Sequence, residues 1–286
     1  MSKKNQNNGV PAITRASFTV DWMTATSNRQ RSREQIGELA GAYLQAQIDL
    51  HNRVQLWSSY GYDGWDTMGM RWGRREQDDI IQLRSEVAQE YWEVFLPLIT
   101  NVSRLDLCAT VQFEEHPISW VSDAYKAIQN VAQDLPIVRK YSIIQPLVGG
   151  DTLYVGSRQS AFFGRIYDKG MESGLNEFAN CIRWEVEVKK PMAQQLASEL
   201  AGQADKSAAI SSFVHGWFSD RLVECPWTPD IGYSAIQFLR KRTSDDIALA
   251  WLKSQVSPTI QRLISRGKLA ELEQSLSIQI SVRKGV

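Results

Sequence analysis

Ser103-Arg104-Leu105-Asp106-Leu107-Cys108-Ala109-Thr110-Val111 and Cys181-Ile182-Arg183-Trp184-Glu185-Val186-Glu187-Val188 both alternate in polarity with a period of two. That period marks a β-strand, whose successive side chains point to opposite faces. In the first stretch Arg104, Asp106 and Cys108 share a face, and Leu105, Leu107, Ala109 and Val111 lie opposite. In the second, Arg183, Glu185 and Glu187 oppose Ile182, Trp184, Val186 and Val188. Each strand therefore has one apolar face to bury and one face carrying arginine with acids. If the two strands are neighbours in one sheet, Asp106, Glu185 and Glu187 converge, and either the arginines or a divalent cation must offset their repulsion. Hard carboxylate oxygens suit Mg²⁺ or Mn²⁺, and such an ion polarises a phosphate for attack. The plainer alternative is a solvated face with Arg104 and Arg183 in cross-strand salt bridges.

Two further strands, Asp151 to Gly156 and Phe162 to Lys169, read as a hairpin with Ser157-Arg158-Gln159-Ser160 near its turn. Arg165, Tyr167 and Lys169 fall on one face of the second strand, and Thr152, Tyr154 and Gly156 on one face of the first. A tyrosine flanked at i−2 and i+2 by cations sits where its phenolate is stabilised, as a tyrosine nucleophile requires. Tyrosine is also simply common in strands.

Outward from this centre, Ala16 to Thr26 reads as an opening strand. Ser32-Arg33-Glu34-Gln35 has the spacing of a capping box ahead of Ile36, Leu39, Ala40, Tyr43, Leu44 and Ile48 on one helical face. Residues 54–73 crowd Trp, Tyr, Gly, Asp and Met together, as short strands joined by tight glycine turns do. Amphipathic helices fit Arg84 to Ile99 and Ser122 to Leu135. The last third reads as helical: Pro191 to Gly202, Ser207 to Leu222, Thr243 to Gln255, and a segment restarted at Pro258 and interrupted at Gly267 before Lys268 to Ser275. Strands first and helices later, without βαβα alternation, predict an α+β fold: a central antiparallel β-sheet core with flanking helices and a helical C-terminal part. The expected layout is a mobile tail over 1–15, an α/β core over 16–190 and a helical region over 191–286.

With 43% hydrophobic residues, 286 residues can bury one large core or two modest ones, which excludes a small stapled scaffold. The 32 basic and 32 acidic side chains cancel, so attraction to nucleic acid must come from local patches. The candidates are Arg29, Arg31 and Arg33; Arg71, Arg74 and Arg75 beside Trp72; and Arg240, Lys241 and Arg242. Interleaved Arg and Trp can grip phosphates and stack on unpaired bases, although charge runs at helix ends are more often plain surface. Three cysteines without a C-x-x-C pair suit a reducing compartment, with the cytoplasm as default. No apolar run is long enough for a membrane span, and the opening residues lack the apolar core of a signal peptide. His51, His116 and His215 have no zinc-site spacing, and neither a P-loop nor a G-x-S-x-G elbow occurs.

Several of these stretches occur together in one family. Val20-Asp21-Trp22-Met23-Thr24, Ser103-Arg104-Leu105-Asp106-Leu107, Thr152-Leu153-Tyr154-Val155-Gly156-Ser157-Arg158, Arg165-Ile166-Tyr167-Asp168-Lys169-Gly170 and Arg183-Trp184-Glu185-Val186-Glu187 stand in the family's order, and Trp251-Leu252-Lys253 to Val256-Ser257-Pro258-Thr259 is similar to phage-type members. From about residue 16 to about residue 270, the chain resembles the Rep_trans-type replication initiation factors: plasmid rolling-circle initiators, filamentous-phage initiators and relaxases. The resemblance implies that residues 16–190 are a nuclease core that nicks and rejoins one DNA strand at an origin through a 5′-phosphotyrosine. Tyr167 is then the first choice of nucleophile and Tyr154 the second. Asp106, Glu185 and Glu187 would hold Mg²⁺ or Mn²⁺, and Arg165 and Lys169 would contact the scissile phosphate or lower the tyrosine pKa. Arg158 would join the patches on DNA. Origin DNA, a host helicase and polymerase, and a second copy in a homodimer are the implied partners. Two rival functions are a non-cleaving origin- or promoter-binding protein and a metal-dependent phosphoesterase that uses water.

Overall fold

A computed structural model describes residues 11–51, 54–117, 120–132, 141–145, 150–189, 191–221, 223–230, 257–268 and 271. The chain divides into two compact units, residues 1–238 and 239–286. The second contributes one described helix, α7 (Ser257–Ser265), followed by Gly267 at φ 72°.

The first unit is built on a ten-stranded sheet in the order β2-β3-β4-β5-β1-β6-β10-β9-β8-β7. Its strands are β1 (Ile13–Ser27), β2 (Gln55–Ser59), β3 (Tyr62–Asp66), β4 (Met70–Arg74), β5 (Asp79–Arg84), β6 (Asn101–Phe113), β7 (Tyr141–Ile144), β8 (Thr152–Val155), β9 (Phe162–Asp168) and β10 (Cys181–Lys189). Every pairing is antiparallel. The helices are α1 (Gln30–His51), α2 (Ser85–Phe95), α3 (Trp120–Ala132), α4 (Lys169–Ser173), α5 (Met192–Ala201) and α6 (Lys206–Ser219). The α+β architecture and the adjacency of β6 and β10 are as predicted.

Period two explains the packing. Leu105, Leu107, Ala109 and Val111 of β6 and Trp184, Val186 and Val188 of β10 exclude solvent completely. At about 25 cal/mol per Å² of apolar surface, this face is a main source of stability. Trp184 meets Trp120 of α3 edge-on at 4.8 Å and Trp227 at 5.2 Å. On β9, a Cβ at Gly164 would lie 2.4 Å from the Trp217 ring of α6, so the missing side chain is what lets that helix seat.

Some boundaries differ from expectation. β1 begins at Ile13, so the expected tail loses its last three residues to the sheet. α1 begins at Gln30, which places Ser32 inside the first turn rather than at the cap. Residues 54–84 form four strands, because Tyr60 (φ 54°) and Gly61 (φ 77°) make the tight turn between β2 and β3 and Asp79–Arg84 alternates buried with half-buried positions. Helices α5 and α6 lie on β6 and β10, and α6 also on β1. The expected helix from Thr243 to Gln255 lies outside the described residues.

Replacing Gly164 with Ala should destabilise the protein by about 1–3 kcal/mol, the range for overpacking a filled core. Urea unfolding measures this; a variant as stable as the parent would show that α6 does not seat on β9 this closely.

Candidate active site

The sheet register lines the polar side chains up in rows. Trp22, Asp106, Glu187 and Phe163 form one row across β1, β6, β10 and β9. Thr19, Cys108, Glu185, Arg165 and Tyr154 form the next, reaching β8. Ser17, Thr110, Arg183, Tyr167 and Thr152 form the third. The three carboxylates expected to converge do so.

Asp106 (0% exposed) and Glu185 (1%) are buried, which overturns the alternative of a solvated face. Arginines compensate them. Arg104 donates from Nε to Asp106 at 2.9 Å and reaches Glu187 at 3.2 Å. Arg165 donates to Glu185 and stands 3.7 Å from Asp106, while Lys189 holds Glu187 at 2.7 Å. Arg183 donates to Thr110 at 2.8 Å and to Asp21 at 2.9 Å.

Asp21 joins this group from a position that strand periodicity does not mark. It is the extra residue of a β-bulge: Val20 pairs with Leu107 and Trp22 with Asp106, leaving Asp21 without a partner position. Counting by two does not reveal it, because the buried positions run Val20, Met23, Ala25, and the step of three breaks the alternation. Burial raises the pKa of Asp21 against the pull of Arg183.

Burial also pushes the Asp106 carboxyl up to about 8, with Arg104 opposing the shift and Glu185 and Glu187 adding to it. Tyr167 donates its phenolic hydrogen to Glu185 Oε2 at 3.1 Å. Burial, and then the Glu185 carboxylate, raise its pKa above the ordinary value. The expectation that flanking cations lower it therefore fails. Arg165 is turned to Glu185, and Lys169 opens α4, where it pairs with Glu172 at 2.6 Å. Tyr154 instead stacks on Phe163 with centroids 5.6 Å apart, and the exposed Arg158 lies over both rings.

The carboxylates do not fit a divalent cation as they stand. Among the described residues, no three His, Cys, Asp or Glu side chains are disposed to hold one ion, and Asp106, Glu185 and Glu187 all spend oxygens on Arg104, Arg165, Tyr167 or Lys189.

The basic patches divide. Arg74 and Arg33 both bind Asp79, and the Trp72 ring borders Gly37 of α1, so this group stabilises the α1 side of the sheet. Arg75 pairs with Asp78 and lies over the Tyr62 ring. Arg71 lies on the same face as Arg104, through the pairs Arg71–Gln82, Gln82–Thr24 and Thr24–Arg104. Arg240, Lys241 and Arg242 lie outside the described residues. The described cysteines Cys108, Cys181 and Cys225 are free, and His116 pairs with Asp168 at 2.6 Å. Among the described residues no helix is long and apolar enough to cross a membrane.

Residues 100–275 match the Rep_trans family model, described as replication initiation factor. This span holds β6, β8, β9 and β10, and with them every carboxylate of the site except Asp21. No curated protein gives a significant match. Among solved structures, the chain is similar to a rolling circle replication initiator protein from Geobacillus stearothermophilus, with a TM-score of 0.49 and 14% identity, covering 71% of this chain and 85% of that one.

Replacing Arg165 with Met should cost about 3 kcal/mol, the lower end for breaking a buried pair because Arg165 keeps 32% of its side chain exposed. For Asp106 the folded pKa lies above the unfolded one, so its contribution to stability is full below about pH 4 and is lost as pH rises through about 8. Denaturant unfolding at pH 6 and pH 9 should show that slope in the parent and a shallower one in Asp106→Asn; equal slopes would refute it.

Proposed function

Because the chain belongs to the replication initiation factor family, whose model matches residues 100–275, we propose that it is a rolling-circle initiator that nicks and rejoins one strand of origin DNA through Tyr167. The observation that carries this reading is the Tyr167 hydroxyl donating to Glu185 at 3.1 Å, a nucleophile already joined to a base.

The raised pKa keeps the phenol protonated at neutral pH, so attack requires Glu185 to take the proton. Tyr167 Oη bonds to phosphorus while the bond from phosphorus to the 3′ oxygen breaks. The 3′ oxygen leaves with the electron pair and takes a proton from solvent. One phosphodiester has become a 5′-phosphotyrosine and a free 3′-hydroxyl, which a host polymerase extends while a helicase opens the duplex. Bond energy is conserved, so reversal rejoins the strand without ATP. Arg165, beside Glu185, is placed to stabilise charge that develops on the phosphoryl oxygens. The exposed Arg158 guanidinium offers a phosphate contact near Tyr154. Proton removal from Tyr167 and stabilisation of the phosphoryl charge use the protein's own side chains, since the described carboxylates as arranged form no cation cage.

One observation favours a second reading, origin or promoter binding without cleavage: each acid of the site is already neutralised by a cation. Supercoiled DNA of the protein's own replicon, incubated with Mg²⁺ or Mn²⁺ and run on a denaturing gel, separates the two. The parent should form a covalent adduct that Tyr167→Phe abolishes and Tyr154→Phe retains. Glu185→Gln should slow its formation by about 10²- to 10⁴-fold, the usual worth of a general base. Loss of the adduct in Tyr154→Phe alone would move the nucleophile to Tyr154. Bound DNA with neither nick nor adduct would establish the non-cleaving reading.

A further inference from the structure

The face that carries Glu185 and Tyr167 continues across β1 into β5, β4 and β2, where a chain of rings and guanidiniums lies on it. Arg104 sits over the Trp22 ring at 4.6 Å, and Arg84 over the same ring at 6.0 Å. Arg84 and Arg71 both bind Asp66, and Arg71 lies over the Trp57 ring at 4.9 Å. Beside Trp57, a Cβ at Gly73 would lie 2.6 Å from its ring, so a bare backbone is what lets the indole approach the sheet this closely. Trp22, Trp57, Arg71, Arg84 and Arg104 are all half-buried.

Two features exceed what a structural ladder needs. Two guanidiniums share the single carboxylate of Asp66, which leaves one positive charge over. The rings are also spaced along one face that runs without a break into the acid–arginine site. Flat rings held by arginine on a sheet, with surplus positive charge, suit an unpaired strand whose bases stack while its phosphates meet the guanidiniums.

We propose that Trp57 and Trp22, with Arg71 and Arg84, form a track for unpaired DNA that leads a strand across β2–β5 to the site on β6, β9 and β10. The track takes its direction from the cleavage reading, since it runs toward Tyr167, but its affinity for unpaired DNA does not depend on cleavage. Stacking tolerates any base, so oligo(dT) of about 20 nucleotides is a sufficient probe, with a duplex of the same length as control.

Fluorescence anisotropy should show the parent binding oligo(dT) more tightly than the duplex. Trp57→Ala and Arg71→Gln should each weaken oligo(dT) binding about tenfold, and Trp57→Phe, which keeps a ring, less than about threefold. Arg71→Gln should also lower the salt slope by about one. Thermal unfolding of each variant checks the fold, and if Trp57→Ala does not fold, Arg71→Gln decides. Unchanged oligo(dT) affinity in a folded variant, or a parent that prefers the duplex, would overturn the track. The adduct assay on the parent, run in parallel, keeps the two ideas apart. An adduct with unchanged affinities rejects the track and leaves cleavage standing, and weakened affinities without an adduct do the reverse.

Discussion

Asp106 stands directly opposite Glu187 in the β6–β10 ladder, and two acids in that position repel whenever both are ionised unless a cation bridges them. Arg104 supplies the bridge with one side chain, bonded to Asp106 and within reach of Glu187. The centre of the sheet is buried on both faces, so this compensation is a condition of folding rather than an embellishment. Arg165 repeats the device one strand further out, tying β9 to β10 through Glu185. The same Glu185 receives the Tyr167 hydroxyl, so the contact that neutralises the sheet also positions the tyrosine.

The length of β1 joins the two halves of the sheet. It pairs with β6 from Ile13 to Thr26 and with β5 from Trp22 to Ser27, so the four-stranded extension and the carboxylate-bearing strands share one surface. Helices α1 and α6 meet the opposite surface, at Trp72 and Gly164 respectively. One side of the sheet is thereby committed to the core, and the other is left for polar chemistry.

What was legible in the sequence followed from periodicity. The faces of β6 and β10, the β8–β9 hairpin and the convergence of Asp106, Glu185 and Glu187 all come from counting by two. Counting failed where the backbone changes state. Lys169 shares a face with Tyr167 only if the strand continues, but Asp168 caps α4 and turns the chain. Asp21 was hidden by its bulge. Alternation also cannot tell a solvated polar face from a buried one, because burial depends on what arginines from other strands lay over it. Arg71 and Arg74 look alike in one patch, yet an odd separation within β4 sends them to opposite sides of the sheet.

The bulge at Asp21 sets where the chain tolerates loss. Its neighbours Val20 and Trp22 already pair with adjacent positions of β6, Leu107 and Asp106. Deleting this single residue would leave the flanking register intact, whereas deleting a paired neighbour would shift every side chain beyond it to the wrong face. What such a deletion removes is the carboxylate partner of Arg183. In a lineage of such chains, the charged cluster and the architecture are therefore separable by one codon, and a descendant can keep the sheet while losing a member of that cluster.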